Sequence, residues 1–136
     1  MNNSHFSILF IFLMAIIHVS CSGVAFAQEF DPEEVEQQLM GTWVAEADPK
    51  SRWVFTEDTL QDYYDGELQA EDPFSVVHEC RGEEVKEHDA GMLLVESQSG
   101  ADICAVIQGL SEERLTLLSI PSGRLILFVR EDHMGH

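Results

Sequence analysis

The chain of 136 residues carries 25 Asp and Glu against 7 Lys and Arg, a formal charge of -18 at pH 7. That length supports one domain and not two, and the acidic balance argues against DNA, RNA or anionic lipid as partners, because counterion release needs clustered Lys and Arg. Disorder is not implied: 43 of the 109 residues after position 27 are apolar, enough to build a core with repulsion spread over a solvated face.

In chain order, residues 1–27 hold no Asp, Glu, Lys or Arg and include an unbroken apolar run at 8–17. Ten to twelve residues are too few to cross ~30 Å of hydrocarbon as a helix. Ala25-Phe26-Ala27 follows, with small residues at the −3 and −1 positions of a signal-peptidase site. The expectation is a signal peptide over 1–27, cleaved before Gln28, and a secreted or periplasmic domain with no transmembrane segment. The alternative is acylation of Cys21, which follows the small Ser20, giving a membrane-anchored lipoprotein. Once Cys21 is removed, Cys80 and Cys104 form an even pair, and an exported protein of this size is expected to bridge them. Closing about 25 residues stabilises by roughly 3 kcal/mol in the chain-entropy model; the alternative is two small buried thiols.

Residues 28–40 read as a short helical lead-in. Asp31 suits an N-cap, Pro32 the first helical position, and Glu33 and Glu34 the first turn, with Val35, Leu39 and Met40 as an apolar stripe. From Gly41 the period changes from helical to alternating. Strands are predicted over 41–46, 52–56, 59–64, 74–80, 92–97, 102–108, 114–120 and 124–130. Trp53 and Phe55 share a face, as do Phe74, Val76 and His78, and Asp65-Gly66 is a strong hairpin signal. Residues 81–91 read as a charged loop or a poorly formed ribbon, and 132–136 as a flexible tail. Eight short strands with regular turns fit an antiparallel meander, and closing it into a barrel over 41–131 removes the exposed edges. A two-sheet sandwich is the competitor. The predicted disulfide meets an objection in a strict meander. The fourth and sixth strands lie ~9–10 Å apart, beyond the ~7 Å Cα limit, so Cys80 must lie past its strand's end or the side chains must meet across the interior.

Leu39-Met40-Gly41-Thr42-Trp43, placed after a short helix at the start of the first strand, resembles the Gly-x-Trp opening of lipocalin and lipocalin-like (calycin) domains. The aromatic-rich second strand, the Tyr63-Tyr64-Asp65-Gly66 hairpin and the final Leu125-Ile126-Leu127-Phe128-Val129-Arg130 stretch are similar to the small bacterial lipocalin-like lineage. The resemblance implies an eight-stranded up-and-down barrel in which Gly41, Trp43 and Arg130 are structural. Trp43 then plugs the closed end and Arg130 covers it through a cation–π contact. The chain is shorter than the full-size family, so Trp53, Phe55, Phe74 and leucines can fill the interior.

For chemistry, the sequence has no Gly-x-Ser-x-Gly elbow, Cys-x-x-Cys, His-Glu-x-x-His or phosphate-cradling glycine loop. A calcium loop with Gly66 at its sixth position would put Gln61 where a carboxylate is required, so that reading fails. Neighbouring carboxylates such as Asp62 and Asp65 are expected by chance among 25. His133 and His136, or His78 and His88 with Glu79, Glu87 or Asp89, are weak metal candidates; the bland readings are a solvated tail and a satisfied strand histidine, and no metal or other cofactor is expected. The interior is the better functional candidate: Trp53, Phe55, Phe74, Val76 and Leu94 as apolar wall, with Tyr64 and His78 as polar anchors. The expectation is an exported, monomeric, non-enzymatic barrel that takes a small hydrophobic or amphipathic ligand. The alternative is a filled-core structural or inhibitor-like envelope protein, in which 81–91 serves as the interaction loop.

Overall fold

The computed structural model describes residues 30–133. The signal-peptide reading, the Gln28 cleavage point, the acylation reading of Cys21 and most of the tail lie outside the described residues.

A single helix, α1 (Pro32–Leu39), precedes the strands. Asp31 caps it, accepting the Glu33 amide at 3.0 Å. Proline opens the first turn, Glu33 and Glu34 face the positive end of the helix dipole, and Val35 and Leu39 form the buried stripe. Ten strands follow: β1 (Gly41–Ala45), β2 (Ser51–Phe55), β3 (Thr59–Tyr64), β4 (Glu67–Val77), β5 (Glu79–Cys80), β6 (Glu83–Glu84), β7 (Gly91–Val95), β8 (Ile103–Leu110), β9 (Arg114–Ile120) and β10 (Leu125–Arg130). Eight of them close an antiparallel barrel in the order β1-β10-β9-β8-β7-β4-β3-β2, while β5 and β6 pair as a separate ribbon. The predicted eight-stranded barrel after a short helix is therefore the observed fold. The Asp65-Gly66 turn has φ of 52° and 82°, the double left-handed geometry that matches the twist of a two-residue hairpin.

One predicted strand differs markedly, at both ends. β4 begins at Glu67, seven residues before the expected start at 74, because its first half is hydrogen-bonded only to β3 and exposes both faces, so no alternation marks it. It also ends at Val77 and not at Cys80.

The interior is one apolar cluster containing Leu39, Trp43, Trp53, Phe55, Leu60, Phe74, Val76, Leu93, Val95, Ile107, Leu115, Leu117 and Phe128. Each large side chain of this kind contributes about 1.5–3 kcal/mol on burial. A second, smaller cluster of Cys80, Met92, Cys104 and Val106 lies on the outside of the wall, supported by Val77, Val85, Leu94, Leu118 and Ile120. Strand parity explains it. Leu93 and Val95 point inward, so Met92 and Leu94 point outward, and the segment after β4 folds back over them.

Cys80 and Cys104 are bridged, with Cα atoms 6.1 Å apart. The spacing objection falls because the chain leaves β4 at Val77 and crosses the outer face of β7, bringing Cys80 over β8. Arg81 pins the crossing by donating to the Asp102 carbonyl at 2.6 Å and the Ile120 carbonyl at 3.4 Å. Of the two expectations for 81–91, a charged loop or a poorly formed ribbon, the ribbon is the nearer: Glu79–Cys80 pairs with Glu83–Glu84, and the segment is stapled as a cover over an outer apolar face.

Candidate functional site

The two ends of the barrel differ. One is sealed by α1 and by the β8–β9 turn. The Trp43 indole N–H donates to the Leu39 carbonyl at 2.8 Å, and the Arg130 guanidinium lies 4.1 Å from the Trp43 ring centroid. Arg130 also donates to the carbonyls of Glu112 (2.6 Å), Met40 (2.6 Å) and Gln38 (2.7 Å), tying β10 to the helix exit and to the β8–β9 turn. Gly41 has φ of +113°, and a Cβ there would stand 2.9 Å from Arg130 Nη1, which accounts for the glycine two residues before the tryptophan. The Glu36 carboxylate accepts the Val76 amide at 3.1 Å, fixing α1 against β4.

The other end is open. Between the β1–β2 loop and the start of β10 lies a cavity of about 600 Å3, lined by Ala45, Glu46, Ala47, Asp48, Ser51, Trp53, Asp62 and residues 124–128. Its floor is aromatic: the rings of Trp53 and Phe128 lie 4.9 Å apart at 35°. Register aligns these groups, since Ala45 pairs with Phe128, and Trp53 with Asp62. Below the floor the barrel is filled, with the Phe55 and Phe74 rings in edge contact at 5.0 Å. The cavity is a cup at the mouth and not a shaft through the barrel.

Asp62 is the notable polar group of this cup. It follows inward-facing Leu60 at the strand's period of two, so its carboxyl shares the inner side with Trp53. Burial pushes its pKa above the ordinary carboxylate value, and a hydrogen bond from the Trp53 side chain works in the opposite direction. It takes part in no ion pair among the described residues. The other acidic groups at the rim are engaged elsewhere. Glu46 pairs with Arg114 at 3.2 Å, and Asp48 accepts the Tyr64 hydroxyl at 3.0 Å and the Lys50 amide at 3.1 Å.

The residues expected to line a ligand site are divided by the structure. Trp53, Phe55, Phe74 and Val76 are inside, but only Trp53 reaches the cup; the other three belong to the packed core. Leu94 is outside, packed against the disulfide cluster, because the phase of its strand places Leu93 and Val95 inward. Tyr64 keeps the phase of Leu60 and Asp62 but stands at the last position of β3, where it is 46% exposed; its hydroxyl pKa is raised by the hydrogen bond to Asp48. His78 lies past the end of β4, exposed, with its ring 4.5 Å from that of Phe30. Asp62, Ile126 and Phe128 enter the site without having been expected there. Among the described residues no group of three or more His, Cys, Asp or Glu is placed to hold a metal, and no helix is long and apolar enough to cross a membrane.

No protein-family model matches the chain, and neither a curated protein nor a solved structure does. The class defined by the coordinates is a closed eight-stranded antiparallel barrel with a helix-sealed base, compatible with a lipocalin-like fold.

Proposed function

We propose that the chain is an exported, monomeric, lipocalin-like barrel that binds a small apolar or amphipathic molecule at its mouth and catalyses no reaction. The observation that carries this reading is the cup of about 600 Å3 with Trp53 and Phe128 as floor and Ile126 at its side. Apolar walls with one or two placed polar groups are what a small-ligand pocket requires. The Gly41–Trp43–Arg130 arrangement at the base supports the calycin kinship. Export is supported by the Cys80–Cys104 bridge, a bond that persists in oxidising compartments.

Titration with the neutral dye N-phenyl-1-naphthylamine tests the reading. Saturable one-to-one binding is expected, weakened at least about tenfold by Ser51→Trp, which fills the cup from its rim. A dye that never saturates on the parent protein overturns it. The mass of the purified N-terminus tests the export route: a start at Gln28 is expected, and a diacylglyceryl Cys21 would replace it with the anchored form.

A second reading, a filled-core interaction protein, is favoured by the packed lower barrel and by the outward-facing Leu125 and Leu127, exposed at 52% and 40%. In that case the dye binds only non-specifically.

A further inference from the structure

We propose that the ligand of the mouth is an organic cation, an ammonium group carried on a small apolar or aromatic body, with Asp62 as its counter-ion. The inference rests on the mouth-binding reading above and names the chemistry of its ligand. Asp62 points into the cup from the middle of β3, on the same face as its cross-strand partner Trp53. An ionised carboxylate has about four acceptor positions, and Trp53 beside it can meet at most one of them. Partial burial makes water a poorer partner for the rest, and no Lys or Arg pairs with the group among the described residues. The charges around the opening are Glu46 and Asp48 from the β1–β2 loop and Arg124 from the start of β10, the last exposed at the rim.

A ligand ammonium fits these conditions on three counts. Its N–H groups satisfy the vacant acceptor positions through charge-assisted bonds, which are about twice as strong as neutral ones. The aromatic rings beside Asp62 are favourable neighbours for an organic cation. The field of a chain with a formal charge of -18 draws cations toward the mouth and repels carboxylates. A bare divalent metal fits poorly, because calcium takes six to eight oxygen ligands and a single carboxyl faces inward here.

Three probes with one body and different heads test the inference on the purified protein by calorimetry: phenethylamine, 2-phenylethanol and 3-phenylpropionate. Phenethylamine is expected to bind at least about tenfold more tightly than 2-phenylethanol, with 3-phenylpropionate weakest. Asp62→Asn is expected to remove the preference for the amine over the alcohol, with the melting temperature of the variant confirming that it folds. Equal affinities for amine and alcohol, an amine preference that survives Asp62→Asn, or a preference for the carboxylate each overturn the inference and leave mouth binding standing. Failure of all three probes on a protein that still binds the neutral dye overturns the inference alone. Failure of the dye as well overturns the mouth-binding reading and the inference with it.

Discussion

Arg130 and Trp43 are cross-strand partners in the β1–β10 register, and the guanidinium of the first stacks 4.1 Å above the ring of the second. The pair converts an open strand end into a sealed base. The indole is fully buried, and the planar guanidinium over it reaches three carbonyls, one from each of its nitrogens, in a fork that a lysine's single nitrogen does not reproduce.

Trp43→Ala is expected to cost on the order of 3–5 kcal/mol in urea unfolding, the range for deleting a large buried aromatic. Gly41→Ala is expected to cost about 1–3 kcal/mol without touching the core, because it combines a φ of +113° with a Cβ pressed against Arg130 Nη1. An unchanged unfolding midpoint in both variants would mean that the base does not hold the barrel closed.

The bridge between Cys80 and Cys104 closes a loop of 24 residues. Replacing both cysteines by serine is expected to lower stability by about 3 kcal/mol, and also to free the ribbon from the outer face of β7 and β8. Trypsin reports the second effect. Cleavage after Arg81 and Lys86 should be slow in the bridged protein and fast in the variant. Equal rates would show that the bond does not clamp the ribbon.

Asp62 gives a pH test with a definite sign. Its folded-state pKa is raised from 3.8, mainly by burial. Its contribution to stability is therefore fully present below about 3.8 and lost as the pH rises through the raised folded value. Glu46, Asp48 and Arg124 face the same opening and remain in both proteins of the comparison. Asp62→Asn removes the penalty of the ionised form, so its melting temperature relative to the parent should be higher at pH 7 than at pH 3. A larger advantage at pH 3 would contradict the buried, inward placement of this carboxyl.

The charge of -18 also predicts a response to salt. Among the described residues the ion pairs of Arg52 with Glu131 and Arg114 with Glu46 engage few of the carboxylates, so self-repulsion is left to solvent. Raising NaCl from low to moderate concentration shortens the Debye length to ~10 Å or below and should raise the melting temperature. A fall would show that attractive pairs outweigh the repulsion.

The barrel was legible because most of its strands alternate: Trp53 with Phe55, and Phe74 with Val76, read inward from the sequence and are inward in the structure. Where alternation fails, so does the reading, for identifiable reasons. Met92, Leu93, Leu94 and Val95 are apolar on both faces because the ribbon covers the outer one, so the phase that separates Leu93 from Leu94 is invisible. The first half of β4 exposes nearly every residue and carries no period. Asp62 was one carboxylate among 25, and its position two residues after Leu60 became meaningful only once the register placed it beside Trp53. Cys80 and Cys104 were readable as a pair, but not the route that joins them across the outside of the wall.

The chain has two tryptophans, cross-strand partners in the β1–β2 register, whose indole N–H signals in a 15N-labelled NMR spectrum report the sealed base and the floor of the cup. The Trp43 N–H is held by the Leu39 carbonyl in the sealed base, and the Trp53 side chain lines the cup beside Asp62. Titration with N-phenyl-1-naphthylamine should shift the Trp53 indole signal to saturation and move that of Trp43, its cross-strand partner outside the cup lining, less. A Trp53 signal that stays fixed at saturating dye, or a shift confined to Trp43, would contradict binding at the mouth.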